Sequence, residues 1–540
     1  MKNSKRILFV LALAMLVIMS VVLVACNNNS SDSKTLIVGT SMPVKSLNRL
    51  DATGGQPGYN FSMLSATVSQ LTPFAKIDGE YRALACDYKT SEGAKTVTVT
   101  LREGFTWHDG TPLTIDDVEF TLSTGFSKLT KDADYAEVKK EGNSLVYTLC
   151  TPESKFLETV ASKVIVPKHL FDGKTKETLS DTDSVIGAGP FKYENYDKNA
   201  GTLTFTKYAK YPGAKKIAFD KVVFRIFQNE EVLVGALKAK EIDMVYNYAK
   251  GLSPAVVESL KTVEDVKLYV DNTTRAIPKS LFFNNQKVTD ARVRKAIALS
   301  IDFDKIRATF GSEQSKPSRQ GVVAPTIFGY KETDVWQRDL EAAKALLKEA
   351  GYSETKKFEF HLLVNKAAND TQYAKLLKTQ IEENGMVNVT LDEKGKEDWV
   401  ATYKAGEHMA DLVGITDAGY SFEAGYATRY TLAPSTSMMP GKLNPACHGQ
   451  MIVEDKDGNL TEYGKVLKAM IGARTDDELK VAAGKYQDFM VKNVVFVPMF
   501  YDEYTQAYSS RLDGLKLDTK LGLLNVVGFE TLTKSEASAK

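Results

Sequence analysis

Between Lys357 and Leu391 the hydrophobic pattern changes period twice. Phe358 to Val364 is a short, mostly apolar run of strand type; Tyr373, Leu376, Leu377 and Ile381 then recur at helical spacing until Gly385, and Val387, Val389 and Leu391 alternate with polar residues as a half-buried strand does. A strand, a helix and a strand in so short a span leave one arrangement, a parallel pair joined by a right-handed crossover. Parallel strands are covered by helices, so the chain must contain an α/β layer structure. Sheet periodicity also appears at Thr96–Leu101 and where Leu203 and Phe205 alternate with threonines. Helical periodicity appears at Val293, Ile297 and Ile301, and again from Asp339, an expected N-cap, through Leu340, Ala343 and Leu347 to Gly351. The 540 residues amount to roughly three or four domain-sized units.

Charge excludes one class of partner. The chain has 69 Lys+Arg against 68 Asp+Glu and shows no basic stripe interleaved with aromatics, so nucleic acid is not expected as a ligand. The cations are unevenly placed, however. Lys2, Lys5 and Arg6 precede an apolar run from Ile7 to Ala25 broken only by Ser20, and no acid occurs before Asp32, which reads as an export signal. The run is also long enough to span a bilayer, so an uncleaved transmembrane anchor is the competing reading. Its end, Leu23-Val24-Ala25-Cys26, resembles the bacterial lipoprotein box, which implies that Cys26 is lipidated and becomes the mature N-terminus. Two acyl chains give stable attachment, and Asn27 to Lys34, with nothing to bury, then reads as a flexible tether on the extracytoplasmic face of the cell membrane. Of the four cysteines, Cys86, Cys150 and Cys447 remain, which is no disulfide framework. Cys86 and Cys150 fall in apolar surroundings and read as buried thiols.

The chemistry expected of an enzyme is missing. The chain contains no HExxH, CxxC, GxSxG or P-loop, and the cluster Gly187-Ala188-Gly189-Pro190 lacks the third glycine of a dinucleotide fingerprint. His108, His169, His361, His408 and His448 show no ligand spacing, so no metal or other cofactor is expected. The run Glu454 to Asn459 misplaces the glycine of a calcium loop and fits a hairpin turn at Asp457-Gly458 instead.

Longer stretches do match a pattern. Leu101-Arg102-Glu103-Gly104-Phe105-Thr106-Trp107-His108-Asp109-Gly110-Thr111-Pro112-Leu113-Thr114-Ile115-Asp116-Asp117-Val118 resembles LRxGxxFHDGxPxTAxDV, a signature of the ABC-importer solute-binding proteins of family 5, which take oligopeptides, dipeptides and nickel. Physically it is a strand, a tight Asp-Gly turn carrying Trp107 and His108, and a helix with Asp116 and Asp117 at the positive end of its dipole. Further matches follow in family order: Thr35–Thr40 with Ser46-Leu47-Asn48, Gly187–Lys192, Tyr208–Phe227, Ala236-Leu237 with Glu241-Ile242-Asp243, Phe282–Asn285 with Asp290–Ile297 and Ser300-Ile301-Asp302, Asp339–Tyr352, and Val494–Leu515.

The resemblance implies a two-lobed, hinged α/β fold of the periplasmic-binding-protein type. Lobe I would hold residues 35–276, with an extra subdomain at about 65–180, and the returning segment 497–540; lobe II would hold 277–496. A non-catalytic, monomeric receptor is implied, one that closes on a short peptide and delivers it to a membrane permease driven by cytoplasmic ATPases. A peptide-signal sensor, or a binder of an oligosaccharide or metal chelate, would use the same fold.

Relatives that bind peptides hold them by main-chain hydrogen bonds and fix the ammonium with an aspartate that follows an apolar strand of lobe II. The stretch Asp411 to Asp417 offers that pattern, with backbone contacts at Gly414 and Ile415 and Asp417 as the anchor; a solvated loop acid or strand cap is the alternative for Asp417. Tyr420, Phe422, Tyr426 and Tyr430 crowd around Arg429. They suit either packing beneath a loop or a cleft wall in which Tyr420, Phe422 and Tyr426 stack on the ligand and Arg429 clamps a carboxylate. Opposite them, Ser41 and Met42 lie just past the first strand, where strand ends face a crevice. Trp399, on a short helix before the Asp411 strand, suits core and cleft equally.

Overall fold

The computed structural model describes residues 34–535 apart from 53–56, 125–128, 130, 132–133, 249–250, 312–314, 318–327, 334–336, 367–369 and 416–448. Its largest sheet has 12 strands. From one edge the path runs Val387–Lys394, Phe358–Asn365, Ala410–Ile415, Val266–Phe283, Phe500–Ser509, Met244–Val245, Thr35–Thr40, Lys221–Ile226, Thr202–Lys207 and Phe191–Asp197. Lys316–Pro317 pairs with Phe500–Ser509, and Phe496–Pro498 pairs with Val266–Phe283. The expected crossover unit is present: Phe358–Asn365 and Val387–Lys394 pair in parallel with helix Asp370–Glu382 between them in sequence.

Two large hydrophobic cores flank the middle of this sheet, and they define the two lobes. The first gathers residues from Leu36 to Tyr246 and from Leu512 to Leu532. The second gathers Leu281 to Leu412 with Val494 to Phe500. Alternation along the strands fixes which face goes where. Leu281 and Phe283 enter the second core, while Phe282 points the other way into a smaller cluster with helices Glu462–Ile471 and Asp476–Asn493. There it stacks on its ladder partner Phe496, ring centroids 4.5 Å apart.

Two antiparallel strands connect the lobes. Val266–Phe283 pairs with Phe500–Ser509 from Val266 to Ala276, then with Ala410–Ile415 from Ile277 onward. Its ladder slips between Asp271 and Ala276 and again between Ile277 and Ser280, where Pro278 has no N–H to donate.

The remaining expectations are mostly met. Thr96–Leu101 buries every second residue and lies in a four-stranded antiparallel sheet with Cys86–Thr90, Ser144–Leu149 and Tyr135–Glu141. Asp339 caps helix Leu340–Glu349 by accepting from Ala342 N at 2.9 Å, and Gly351 takes φ 89° just beyond its end. Asp455 N reaches Asn459 O at 2.8 Å across the Asp457-Gly458 turn, as a hairpin requires. Ile301 departs from the expected pattern. The helix ends at Ser300 and Ile301 is extended, yet fully buried, because Asp302 caps the next helix by accepting from Lys305 N at 2.9 Å. Cys150 also departs: it is only half-buried, whereas Cys86 is buried, and both are free thiols.

Three of the sequence matches meet at one junction in lobe I. The Trp107 ring is 1% exposed and its Nε1 donates to Asp117 Oδ2 at 3.3 Å, while Asp117 also accepts from Thr114 N and Lys168 N, each at 2.8 Å. His108 Nδ1 accepts from Gly187 N at 3.2 Å, which leaves Nε2 to donate to Gly189 O at 3.0 Å. Tyr208 donates from its hydroxyl to Trp107 O at 2.7 Å. The glycines are needed because a Cβ on Gly187 would stand 2.0 Å from Ser69 O, and one on Gly189 would stand 2.6 Å from Ser69 C. Trp107 and His108 thus dock the four-stranded sheet onto its lobe.

Candidate functional site: the crevice between the lobes

Strand direction locates the crevice. Thr35–Thr40 runs parallel to Met244–Val245, which is antiparallel to Phe500–Ser509, which is antiparallel in turn to Val266–Phe283. The first strand therefore runs in the same sense as the long strand, toward lobe II. Ala410–Ile415 is antiparallel to the long strand and so runs toward lobe I, together with its parallel neighbour Phe358–Asn365. The carboxyl ends of both sets point at one another across the crossing strands. Ile415 stops opposite Ile277, and Asn247, next to the end of the first strand, is bonded by Tyr504, the ladder partner of Asp271. Carboxyl ends of strands at such a switch point are where α/β sheets take ligands.

The lobe I wall is fastened from behind. Asn247 Oδ1 accepts from Ser41 N at 2.9 Å, Ser41 Oγ at 3.1 Å and Thr40 Oγ1 at 3.2 Å, while Tyr504 donates from its hydroxyl to Asn247 O at 2.9 Å. Met42 N donates to Thr40 Oγ1 at 3.1 Å, and Met42 Sδ accepts from Tyr248 N at 3.2 Å. Asn60 and Tyr196 hold the carbonyls of Pro43 and Val44, each at 2.8 Å. Both N–H groups of Ser41 and Met42 are thus engaged within the protein, and Met42 is 9% exposed. What the arrangement offers a ligand is a pre-set surface. Asn247, Tyr248, Tyr59 and Tyr504 belong to it as well, Tyr59 meeting Tyr248 edge to face at 6.2 Å. Sequence reading missed them, because Met244–Val245, the strand that leads to Asn247, is only two residues long.

The lobe II wall is described up to Ile415. Asp411 is fully buried inside its strand, and Gly414 and Ile415 form the end that faces the crevice. One step into this lobe, Lys279 of the long strand pairs with Asp370 at 2.7 Å, at the first turn of the helix that follows Phe358–Asn365. Burial holds the Asp370 carboxyl above its usual range, against the pull of Lys279. Asp417, Tyr420, Phe422, Tyr426, Arg429 and Tyr430 lie outside the described residues, as do Cys26 and Cys447. Trp399 is half-buried on helix Lys396–Lys404 and packs on Tyr403, centroids 4.7 Å apart.

Among the described residues, no group of three or more His, Cys, Asp or Glu side chains stands close enough to hold a metal. Burial pushes the Cys86 thiol up to about 12, so it is protonated and unreactive near neutral pH. No described helix is long and apolar enough to cross a membrane.

Two lobes, two crossing strands and facing strand ends define a hinged solute-binding protein. Comparison with known proteins agrees: the sequence model of the bacterial extracellular solute-binding proteins, family 5 Middle, matches residues 81–436, and the chain belongs to that family. The dipeptide-binding protein of Escherichia coli (strain K12) is 26% identical over 389 residues, spanning 65% of this chain and 70% of its own length. The substrate-binding protein CtaP of Listeria monocytogenes shares the fold with a TM-score of 0.74 at 21% identity, covering 93% of this chain and 99% of that one. The oligopeptide-binding protein AppA of Bacillus subtilis, solved with a nonapeptide, gives a TM-score of 0.69 at 18% identity over 93% of this chain and 99% of that one. These relatives are binding proteins.

Proposed function

We propose that this chain is the extracytoplasmic receptor of an ABC importer, held to the membrane by lipid on Cys26, which captures short peptides between its lobes and delivers them to a permease without chemical change. The observation that carries the reading is the convergence of strand ends from both lobes on one crevice, in a chain whose relatives include a dipeptide-binding protein and a nonapeptide complex. A peptide backbone suits such a crevice because exposed main-chain groups at strand ends can extend the sheet pattern to an added strand.

In this reading the hinge lies where the two strands cross between the lobes, near Ala276 and its ladder partner Asp502, a few residues past the expected 496/497 boundary because Val497, Met499 and Phe500 pack in the second core. The ligand rests on Ser41 and Met42, which Asn247 has already ordered, and is held from lobe II by the main chain of Gly414 and Ile415. Asp417 receives its ammonium, Arg429 its carboxylate, and Tyr420, Phe422 and Tyr426 its side chains. The test is calorimetry with matched free and N-acetylated peptides. Asp417→Asn weakens binding of the free peptide by roughly tenfold or more and leaves the acetylated one nearly unchanged. Equal loss for both would show that Asp417 holds no ammonium.

A further inference from the structure

A second cavity, of about 270 Å³, lies inside lobe I away from the crevice, where helix Glu153–Ala161 and strand Phe74–Ile77 meet the return segment near residues 518–527. Its wall is apolar at Leu84 and Val526 but carries three lysines, of which Lys76 is paired with Glu158 and Lys163 and Lys520 are not ion-paired among the described residues. Lys520 Nζ donates to Ser162 O at 3.0 Å. Lys163 makes no side-chain hydrogen bond or ion pair among the described residues. Gln70, 2% exposed, shares the wall. Its Oε1 is taken by Arg49 Nη1, and its Nε2 has no partner.

The acids nearby are already engaged. Glu158 accepts from the Tyr81 hydroxyl at 2.8 Å and from Lys76 Nζ at 3.4 Å, and Asp518 Oδ1 accepts from Lys520 N at 2.8 Å and Leu521 N at 2.7 Å. Burial lowers the Lys163 ammonium to about 8, with Lys520 pushing the same way and Asp134 opposing. Burial also lowers Lys520, against Asp518 and Glu158. Two half-buried ammoniums and a buried amide N–H₂ without an acceptor thus share a wall whose three lysines outnumber its two acids, Glu158 and Asp518, by one, which leaves it short of one negative charge.

We propose that this cavity binds a small organic anion, a carboxylate or phosphate on a short apolar body, with its head group among Lys163, Lys520 and the Gln70 amide. Such an occupant would tie helix Glu153–Ala161 to the return segment and stiffen lobe I independently of the peptide crevice.

Calorimetry of the purified protein with benzoate, phenyl phosphate and neutral benzamide tests this, and crystals soaked in 4-bromobenzoate locate the site. The expected result is saturable binding of at least one anion, benzamide weaker by roughly tenfold or more, and a bromine anomalous peak in this cavity. The tighter of the two anions identifies the head group. Lys163→Met should abolish the preference for the anion while Lys163→Arg keeps it, with denaturant midpoints confirming that both are folded. If Lys163→Met does not fold, Gln70→Leu should weaken the anion instead. Equal binding of benzamide, undiminished anion binding in folded Lys163→Met, a bromine peak only elsewhere, or no saturable binding of either anion would each overturn the proposal.

Discussion

Asp243 shows how a single match residue can hold a lobe together. It is 1% exposed, it accepts from Ile37 N at 2.8 Å, and it pairs with Arg511 at 3.1 Å and Lys534 at 2.9 Å. The first strand, the strand beside it and the C-terminal return thus meet on one carboxylate. Asp243→Ala strands a buried Lys534, whose side chain is 6% exposed, and should cost about 3–5 kcal/mol, read as a lower urea midpoint. An unchanged midpoint would show that the clamp is not structural. His108 makes a prediction about pH. Burial lowers its pKa to about 4, with Arg49 and Lys192 adding to the effect and its bond to Gly189 and the Asp109 charge opposing it. Because the folded value lies below the unfolded ~6.5, the unfolded chain takes up the proton first. The stability from neutral His108 is therefore complete above pH ~6.5 and is lost as pH falls through about 4, a loss of up to ~3 kcal/mol. His108→Gln should be less stable at neutral pH and show a shallower decline between these limits in denaturant titrations at stepped pH. Parallel curves for the two proteins would contradict this.

At the scale of elements, the sequence matches turn out to be devices that end and join helices. Arg294, 5% exposed, caps the C-terminus of helix Asp476–Asn493 by donating to Asn493 O at 2.6 Å and Val494 O at 3.1 Å, and reaches Val288 O at 2.6 Å. All of these partners are neutral carbonyls, and burial lowers the guanidinium to about 10. Arg294→Met leaves them without a donor and should cost about 3 kcal/mol, with faster amide exchange at the end of that helix. Unchanged exchange there would remove the capping role. The same devices explain what was legible in the residues. Asp339, Gly351 and the strands on either side of Tyr373 follow local rules of capping and period, and those rules hold wherever the element sits. The long strand Val266–Phe283 follows none of them over its middle, because it changes partners and register between the two lobes and contains Pro278. Asn247 was hidden for a related reason. Met244–Val245 is two residues long and gives no periodic signal, so the end of that strand shows only once the sheet is assembled. Cys150 lies one residue past strand Ser144–Leu149, where alternation no longer assigns a face.

For the whole molecule, the proposed function gives binding and motion to one element pair. The strands that cross between the lobes also floor the crevice, through Tyr504 behind Asn247 on one side and Ile277 beside Ile415 on the other. A ligand that touches both walls favours the closed arrangement only by the difference between its affinities for closed and open forms. The central claim is that the ligand is a short peptide, and the most direct measurement is a thermal-shift titration of the purified protein with defined di- to nonapeptides, alongside oligosaccharides and nickel chelates. A ligand at 100 times its Kd adds about 2.7 kcal/mol, so the account predicts a saturable rise in Tm with at least one peptide length and none with the other two classes. A saturable rise with an oligosaccharide or a nickel chelate, and none with any peptide, would contradict it.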